Sequence, residues 1–168
     1  MSLRPVLQSQ YLAALRMMRQ AIDTCPEAIW AGGGYVNPSW QVVYHALFYT
    51  HFYLQASEDS FTPWELHRDG IQHMGASEGD SEPGDRVVPY TIPEMQAYCD
   101  VVRDRVAPDV DALDLDAAGS GFSWYPISKL EHQFVNLRHL QHHAGQISER
   151  VRQGAGRHVD WVGAAPQR

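Results

Sequence analysis

Residues 136–156 read NLRHLQHHAGQISERVRQGAG, and this segment gives the clearest indication of the fold. It joins a helical pattern to a dense group of histidines. Together with the segment before it, it predicts one long helix that begins at a capping box of Ser128 and Glu131 and ends at about Gln153, before Gly154. An amphipathic helix of this length needs other helices to cover its apolar face. Its apolar stripe consists of Val135, Leu140, Ala144, Ile147 and Val151.

Two of the covering helices are predicted by similar stripes. The first helix runs from about Pro5 to Thr24, with the proline in its first turn. The third begins at Thr91, which has capping-box spacing to Glu94, and ends before Pro108. The stripes are Leu7, Tyr11, Leu15, Met18 and Ile22 in the first helix, and Met95, Cys99, Val102 and Val106 in the third.

The second predicted helix is apolar on almost every side. It begins near NPSW, with Asn37 or Ser39 as the cap and Pro38 in the first turn, and continues to about Ala56. A helix of this kind is either buried on most sides or also lines an interface between subunits.

These four helices predict the fold class. We expect an all-α protein, a four-helix bundle with a long crossover between the second and third helices, residues 57–90. A length of 168 residues suits a single domain that spans residues 1–168. So long a crossover is often functional, and whether its Phe61 and Trp64 cover a site is left open.

The composition excludes some classes of partner. The net charge is −7 and no block of Lys or Arg is present, which argues against nucleic acid and anionic membranes as partners. No apolar run approaches the roughly 20 residues that span a bilayer, and the first 20 residues lack the apolar core of a signal peptide. Cys25 and Cys99 form no C-x-x-C motif, so we expect a cytoplasmic location.

Helical geometry divides the three crowded histidines into a pair and a single residue. His139 and His143 lie about 40° apart on the helix, one turn above the other, which is the spacing of helical H-x-x-x-H metal sites. His142 lies about 100° from His143 and points away from the pair. The pair is either half of a metal site or part of a polar helix flank.

His45 strengthens the metal interpretation. It lies in the middle of the apolar second helix, where an unpaired imidazole is costly. It is either a hydrogen-bonded core histidine or a third ligand that converges with the pair inside the bundle. We expect the remaining histidines to be exposed to solvent: His51, His67, His73, His132 and His158.

The chain resembles the DinB-like (DinB/YfiT) superfamily, whose members are expected to be metal-dependent enzymes. The resemblance rests on YHALFYTHFYL, residues 44–54, and on LRHLQHHAGQI, residues 137–147, which is similar to the H-x-x-x-H-x-G-Q pattern of that family. It implies that His45, His139 and His143 are the metal ligands, with waters completing the shell. It further implies a homodimer and a divalent metal, nickel or zinc first, with iron or manganese as alternatives.

The residues and the resemblance together lead to a functional hypothesis. We expect a divalent-metal-dependent enzyme, a thiol-dependent transferase or isomerase or a hydrolase, that acts on a small electrophilic substrate, with a low-molecular-weight thiol as a cosubstrate of the transferase. The candidate catalytic acid–base residues are Tyr49 and Asp59, with Glu58 beside the latter. Asn136 and Gln146 are candidates to orient the imidazoles.

Two other functional interpretations stay open. The chain is alternatively a non-catalytic stress-response protein that binds a metal or a small molecule, or a helical bundle without a metal. A structural zinc site is usually closed by four protein ligands, and the sequence offers no convincing fourth ligand. An open, reactive site is therefore favoured.

Overall fold

The computed structural model describes residues 2–32, 34–74 and 88–165, and the part of the crossover from 75 to 87 lies outside this range. Within the described residues the protein is all-α, with five helices and no strand. The helices are α1 (Arg4–Thr24), α2 (Glu27–Trp30), α3 (Ser39–Tyr53), α4 (Ile92–Ala112) and α5 (Lys129–Ala155), with a short 3-10 turn at Glu58–Ser60.

The four long helices form the predicted bundle, and α2 is a short addition. The helix α1 packs against α4 and α5, and α3 packs against the same two helices. The predicted apolar stripes of α1 and α4 are buried in one common core. The capping box of Thr91 and Glu94 forms as predicted, and the Ser128 hydroxyl accepts from the Glu131 N–H.

Side-chain contacts give the directions of the helices. Gln133 of α5 donates to the main-chain oxygen of Tyr53 at the end of α3, whereas Arg150 near the end of α5 donates to Ser39 at the start of α3. The helices α3 and α5 are therefore antiparallel. This alignment brings the middle of α3, where His45 lies, beside the middle of α5.

The direction of α4 explains the long crossover. Tyr44 of α3 packs against Tyr98 near the start of α4, and Gln55 just after α3 donates to Asp109 near the end of α4. The helices α3 and α4 are therefore parallel, so the chain must return along the bundle before α4 begins. The described part of the crossover makes this return along α3.

Four predicted helix ends differ from the observed ones, and one of them is the end of α3, which lies at Tyr53 and not at about Ala56. The helix α4 continues through Pro108, because Asp109 and Val110 are buried and their packing offsets the roughly 3 kcal/mol cost of an internal proline. The helix α5 continues past Gly154, where an added Cβ would lie 2.5 Å from the Ile29 side chain. It ends at Ala155 and is capped by Gly156, which has a φ of 64°. The helix α3 has Pro38 at its N-cap position and no side-chain capping bond.

The apolar character of α3 is explained within one chain. Most of its residues are buried between α4, α5 and the crossover, including Trp40, Leu47 and Phe48. Its composition therefore does not by itself require a second subunit.

None of the helices in the described ranges is both long enough and apolar enough to cross a bilayer.

Candidate metal centre

Three histidines from two helices meet in the middle of the bundle. His45 comes from α3, and His139 and His143 come from α5. The Nε2 atom of His139 lies 2.8 Å from Nε2 of His45 and 3.0 Å from Nε2 of His143. The antiparallel packing of α3 on α5 thus brings together the three predicted ligands. In sequence, His45 and His139 are 94 residues apart.

The outer ring nitrogens of two of these histidines determine which tautomer is present. His45 Nδ1 lies 2.6 Å from the main-chain oxygen of Gln72, and His143 Nδ1 lies 2.6 Å from Oε1 of Gln146. Oxygen atoms of carbonyl groups only accept hydrogen bonds, so both Nδ1 atoms must carry the proton. In a neutral imidazole the lone pair is then on Nε2. Two lone pairs are therefore directed at His139.

A cation satisfies this arrangement better than a proton does. The Nε2 atom of His139 carries at most one hydrogen, which makes a good bond to only one of its two neighbours. An ion accepts lone pairs from all three nitrogens at once. Two nitrogens bound at about 2.05 Å to one tetrahedral ion are about 3.3 Å apart, which is close to the 2.8 Å and 3.0 Å that separate Nε2 of His139 from its two neighbours. The residues present fit the divalent metal that the sequence implies.

Burial keeps the three imidazoles neutral at physiological pH. Burial, followed by the neighbouring His143 and His45, lowers the pKa of His139 to about 3. Burial also lowers the pKa of His143 to about 4, although the bond to Gln146 opposes this change. The pKa of His45 is lowered by the same cause. Neutral imidazole is the form that binds metals.

The group of candidate ligands contains three histidines and no acid or thiol. Among the described residues, no fourth His, Cys, Asp or Glu places a ligand atom within this cluster. Cys25 and Cys99 are buried free thiols elsewhere in the bundle, and burial raises the pKa of Cys99 to about 12. Three protein ligands leave at least one coordination position for water or substrate, as in catalytic sites.

Of the candidate catalytic residues, Tyr49 lies beside the cluster and Asp59 does not. The Tyr49 ring centroid is 4.8 Å from that of His45 and 5.8 Å from that of His139. Asp59 is exposed in the 3-10 turn after α3 and is not one of the three residues of the cluster. Its neighbour Glu58 accepts from the main-chain N–H of Ser123 instead.

Of the two residues that we expected to orient the imidazoles, one contacts the cluster and the other does not. Gln146 bonds His143 as described, whereas the buried Asn136 donates to the main-chain oxygen of Thr50, away from the imidazoles. His142 is exposed and is not one of the three converging histidines, as its helical phase predicts.

Two of the histidines that we expected to be exposed are buried. His51 is 7 % exposed and approaches the Tyr98 hydroxyl, and His132 is fully buried. The burial of His132 was not predicted because the buried stripe near the start of α5 is polar and includes Lys129, Gln133 and Asn136. A search for apolar periodicity does not detect a polar stripe. His73 and His158 are exposed, and His67 is half-buried.

One participant was missed by the sequence interpretation. The main-chain oxygen of Gln72, in the crossover, bonds the candidate ligand His45. A main-chain acceptor leaves no mark on residue type, so no pattern in the sequence indicates it. Phe61 and Trp64, which we considered as a cover for the site, pack instead against Phe48 and Tyr98 respectively.

A separate cavity lies on another side of the bundle. It has a volume of about 750 Å³ between α1 and α4, and it contains none of the three histidines. Two of its three arginines, Arg19 and Arg103, are paired with Asp100. The convergence of lone pairs therefore identifies the histidine cluster as the candidate site in preference to this cavity.

Comparisons with known proteins agree with this geometry at the level of the family. No curated protein and no solved structure matched the chain. A family model described as the DinB superfamily matches residues 10–147, which include all three histidines. This match covers most of the chain, and the protein therefore belongs to the DinB superfamily.

Proposed function

We propose that this protein is a divalent-metal-dependent enzyme that activates a small nucleophile for attack on a small electrophilic substrate. His45, His139 and His143 would hold the ion, nickel or zinc first, with iron or manganese as alternatives. When bound, such an ion lowers the pKa of a thiol or water and so supplies thiolate or hydroxide at neutral pH.

One observation carries the proposal. Two imidazoles whose Nδ1 protons are engaged by oxygen acceptors direct their lone pairs at the third, and no further protein ligand closes the site within the described residues. A histidine cluster kept only for packing has no need of this common orientation. A structural metal site would be expected to have a fourth protein ligand.

Tyr49 is the proposed proton donor. Burial raises the pKa of its phenol above the ordinary value, so the hydroxyl stays protonated at neutral pH. A protonated phenol next to the ligands donates to a leaving group or to a developing negative charge, and it does not act as a base. This assignment narrows the role of Tyr49 to that of an acid.

The remaining features of the proposal come from the family resemblance. The nucleophile would be a low-molecular-weight thiol in a transferase or isomerase, or water in a hydrolase. The enzyme would be a cytoplasmic homodimer, and light scattering over a range of concentrations tests the dimer. A mass equal to that of the 19.0 kDa chain at every concentration would contradict it.

The first experiment measures metal content. The wild type, His143→Ala and His142→Ala are purified without chelator and analysed by mass spectrometry for bound metals. We expect about one ion per chain in the wild type and His142→Ala and a large loss in His143→Ala, because only His143 joins the cluster. Equal metal content in wild type and His143→Ala would refute the proposed ligands.

The second experiment measures turnover. The metal-loaded protein is incubated with glutathione, bacillithiol or mycothiol and a chlorinated aromatic electrophile, and with ester substrates in the absence of thiol. Turnover that disappears in His143→Ala supports the enzyme. A metal-loaded protein without any turnover would favour the alternative function, a non-catalytic protein that binds a metal or a small molecule.

A further inference from the structure

The two oriented ligands differ in where their orienting acceptor lies. His143 bonds Gln146, which is three residues further along the same helix. His45 bonds the main-chain oxygen of Gln72, which is 27 residues away in sequence. Gln72 lies in the crossover, outside any helix. The orientation of His45 therefore depends on the position of a loop, whereas that of His143 does not.

The same face of α3 holds this loop in place. Gln41 lies one turn before His45, so the two side chains are neighbours on the helix surface. The Gln41 amide donates to the main-chain oxygen of His73 at 3.0 Å. Gln41 and His45 thus donate to two consecutive carbonyls of the crossover, and the first bond holds His73, the residue that directly follows the Gln72 carbonyl.

Other contacts hold the rest of the segment. The Tyr44 hydroxyl bonds Nδ1 of His67, and Ile71 and Met74 pack against the core. These contacts keep residues 67–74 near α3. Within the segment, the His73 N–H donates to the Gly70 carbonyl and the Gln72 side chain bonds the His73 ring. Gln41 is the residue of α3 that bonds His73.

We propose that Gln41 is a positioning residue for the metal centre. By holding His73 it fixes the Gln72 carbonyl, which keeps the proton of His45 on Nδ1 and its lone pair directed into the cluster. The inference rests on the proposed metal function. Partners that orient metal-bound histidines typically change metal affinity by 10- to 100-fold, and because Gln41 acts through one further bond we expect a loss of about 10-fold.

The test compares two glutamines of the same kind. Gln41→Met removes the donor and keeps a flexible side chain that favours helix. Gln10→Met is the matched control, because Gln10 also donates from a helix to a loop carbonyl, that of Gly163, away from the histidines. Zn²⁺ affinity is measured by competition with a chromophoric chelator. We expect about 10-fold weaker binding in Gln41→Met and no change in Gln10→Met.

A second measurement uses the metal-free protein. Nitrogen-15 NMR of the imidazoles at pH 8 reports the tautomer of His45, with its signals assigned through His45→Gln. We expect the Nδ1–H tautomer in wild type and Gln10→Met, and a mixture of tautomers in Gln41→Met. His143 should keep its tautomer in all three, because its acceptor is on its own helix.

The outcomes separate the two proposals. Unchanged zinc affinity in Gln41→Met, or an unchanged His45 tautomer, overturns the role of Gln41. A wild type that binds no zinc or other divalent ion overturns the proposed function instead. In that case the tautomer of His45 in Gln41→Met still decides whether Gln41 orients this ring.

Discussion

His139 and His132 lie two turns apart on the same face of α5, yet their surroundings differ in kind. His139 meets two other imidazoles, with its Nε2 within 3.0 Å of both. His132 is fully buried among the rings of Tyr53, Phe122 and Tyr125, and neither of its nitrogens has a hydrogen-bond partner among the described residues.

The burial of a histidine is therefore not sufficient to identify it as a candidate metal ligand. Burial lowers the pKa of His132 to about 4, much as it lowers that of His139 to about 3. What separates the two regions is the direction of the lone pairs around them. Nitrogens that converge create a demand for a cation, whereas a lone imidazole among aromatic rings mainly costs stability.

The largest effect expected from this comparison is on metal affinity. His45→Ala removes one of three ligands and should weaken Zn²⁺ binding by at least about 100-fold, more than the loss of an outer partner. His132→Ala should leave the affinity unchanged, because His132 does not join the cluster. Competition with a chelator measures both. Similar losses in the two variants would erase the distinction between the regions.

The tyrosines beside the two regions provide the next test. Tyr49 packs against the proposed metal ligands, whereas Tyr53, one turn later on α3, packs against His132. Tyr49→Phe should lower kcat by about 100-fold with metal content unchanged, as is typical for loss of a general acid. Tyr53→Phe should retain turnover. Equal kcat values in Tyr49→Phe and wild type would exclude Tyr49 as the proton donor.

The third expected effect is on the free energy of unfolding at low pH, to which His132 contributes. The pKa of His132 is about 4 in the folded chain and about 6.5 when unfolded, so below pH 6.5 the unfolded chain binds the proton first and stability falls. For metal-free protein at pH 5, this loss from His132 is about 2 kcal/mol. The variant His132→Leu lacks this loss of stability, whereas the other histidines titrate in both the variant and the wild type. Urea unfolding at pH 7.5 and pH 5 measures the difference, and parallel losses in the two proteins would contradict the prediction.

The smallest expected effect is at neutral pH. Because neither nitrogen of His132 has a hydrogen-bond partner in the described part of the chain, His132→Leu should raise the free energy of unfolding by about 1 kcal/mol at pH 7.5. His132→Gln keeps polar atoms at this position and should give no gain. Urea denaturation of the three metal-free proteins tests this. A destabilised His132→Leu would show that the imidazole contributes more by packing than it costs by desolvation.

Local signals in the sequence were sufficient for most of the fold. The stripes of α1 and α4 and the caps at Thr91 and Ser128 were predicted correctly, because they depend on residues a few positions apart. The ends near Pro108 and Gly154 were wrong, because packing between distant residues outweighs local preference there. The short α2 was not predicted.

At the candidate site, the amino-acid sequence alone indicated histidines as the candidate ligands and gave the helical phase that separates His139 and His143 from His142. These follow from the roughly 100° that each residue advances around a helix. Three features of the site depend on contacts between distant segments. His45 meets this pair, His132 is buried without a hydrogen-bond partner among the described residues, and Gln72 and Gln41 lie behind His45. Antiparallel packing of α3 on α5 and the return of the crossover along α3 create these contacts, and no spacing within one segment encodes them.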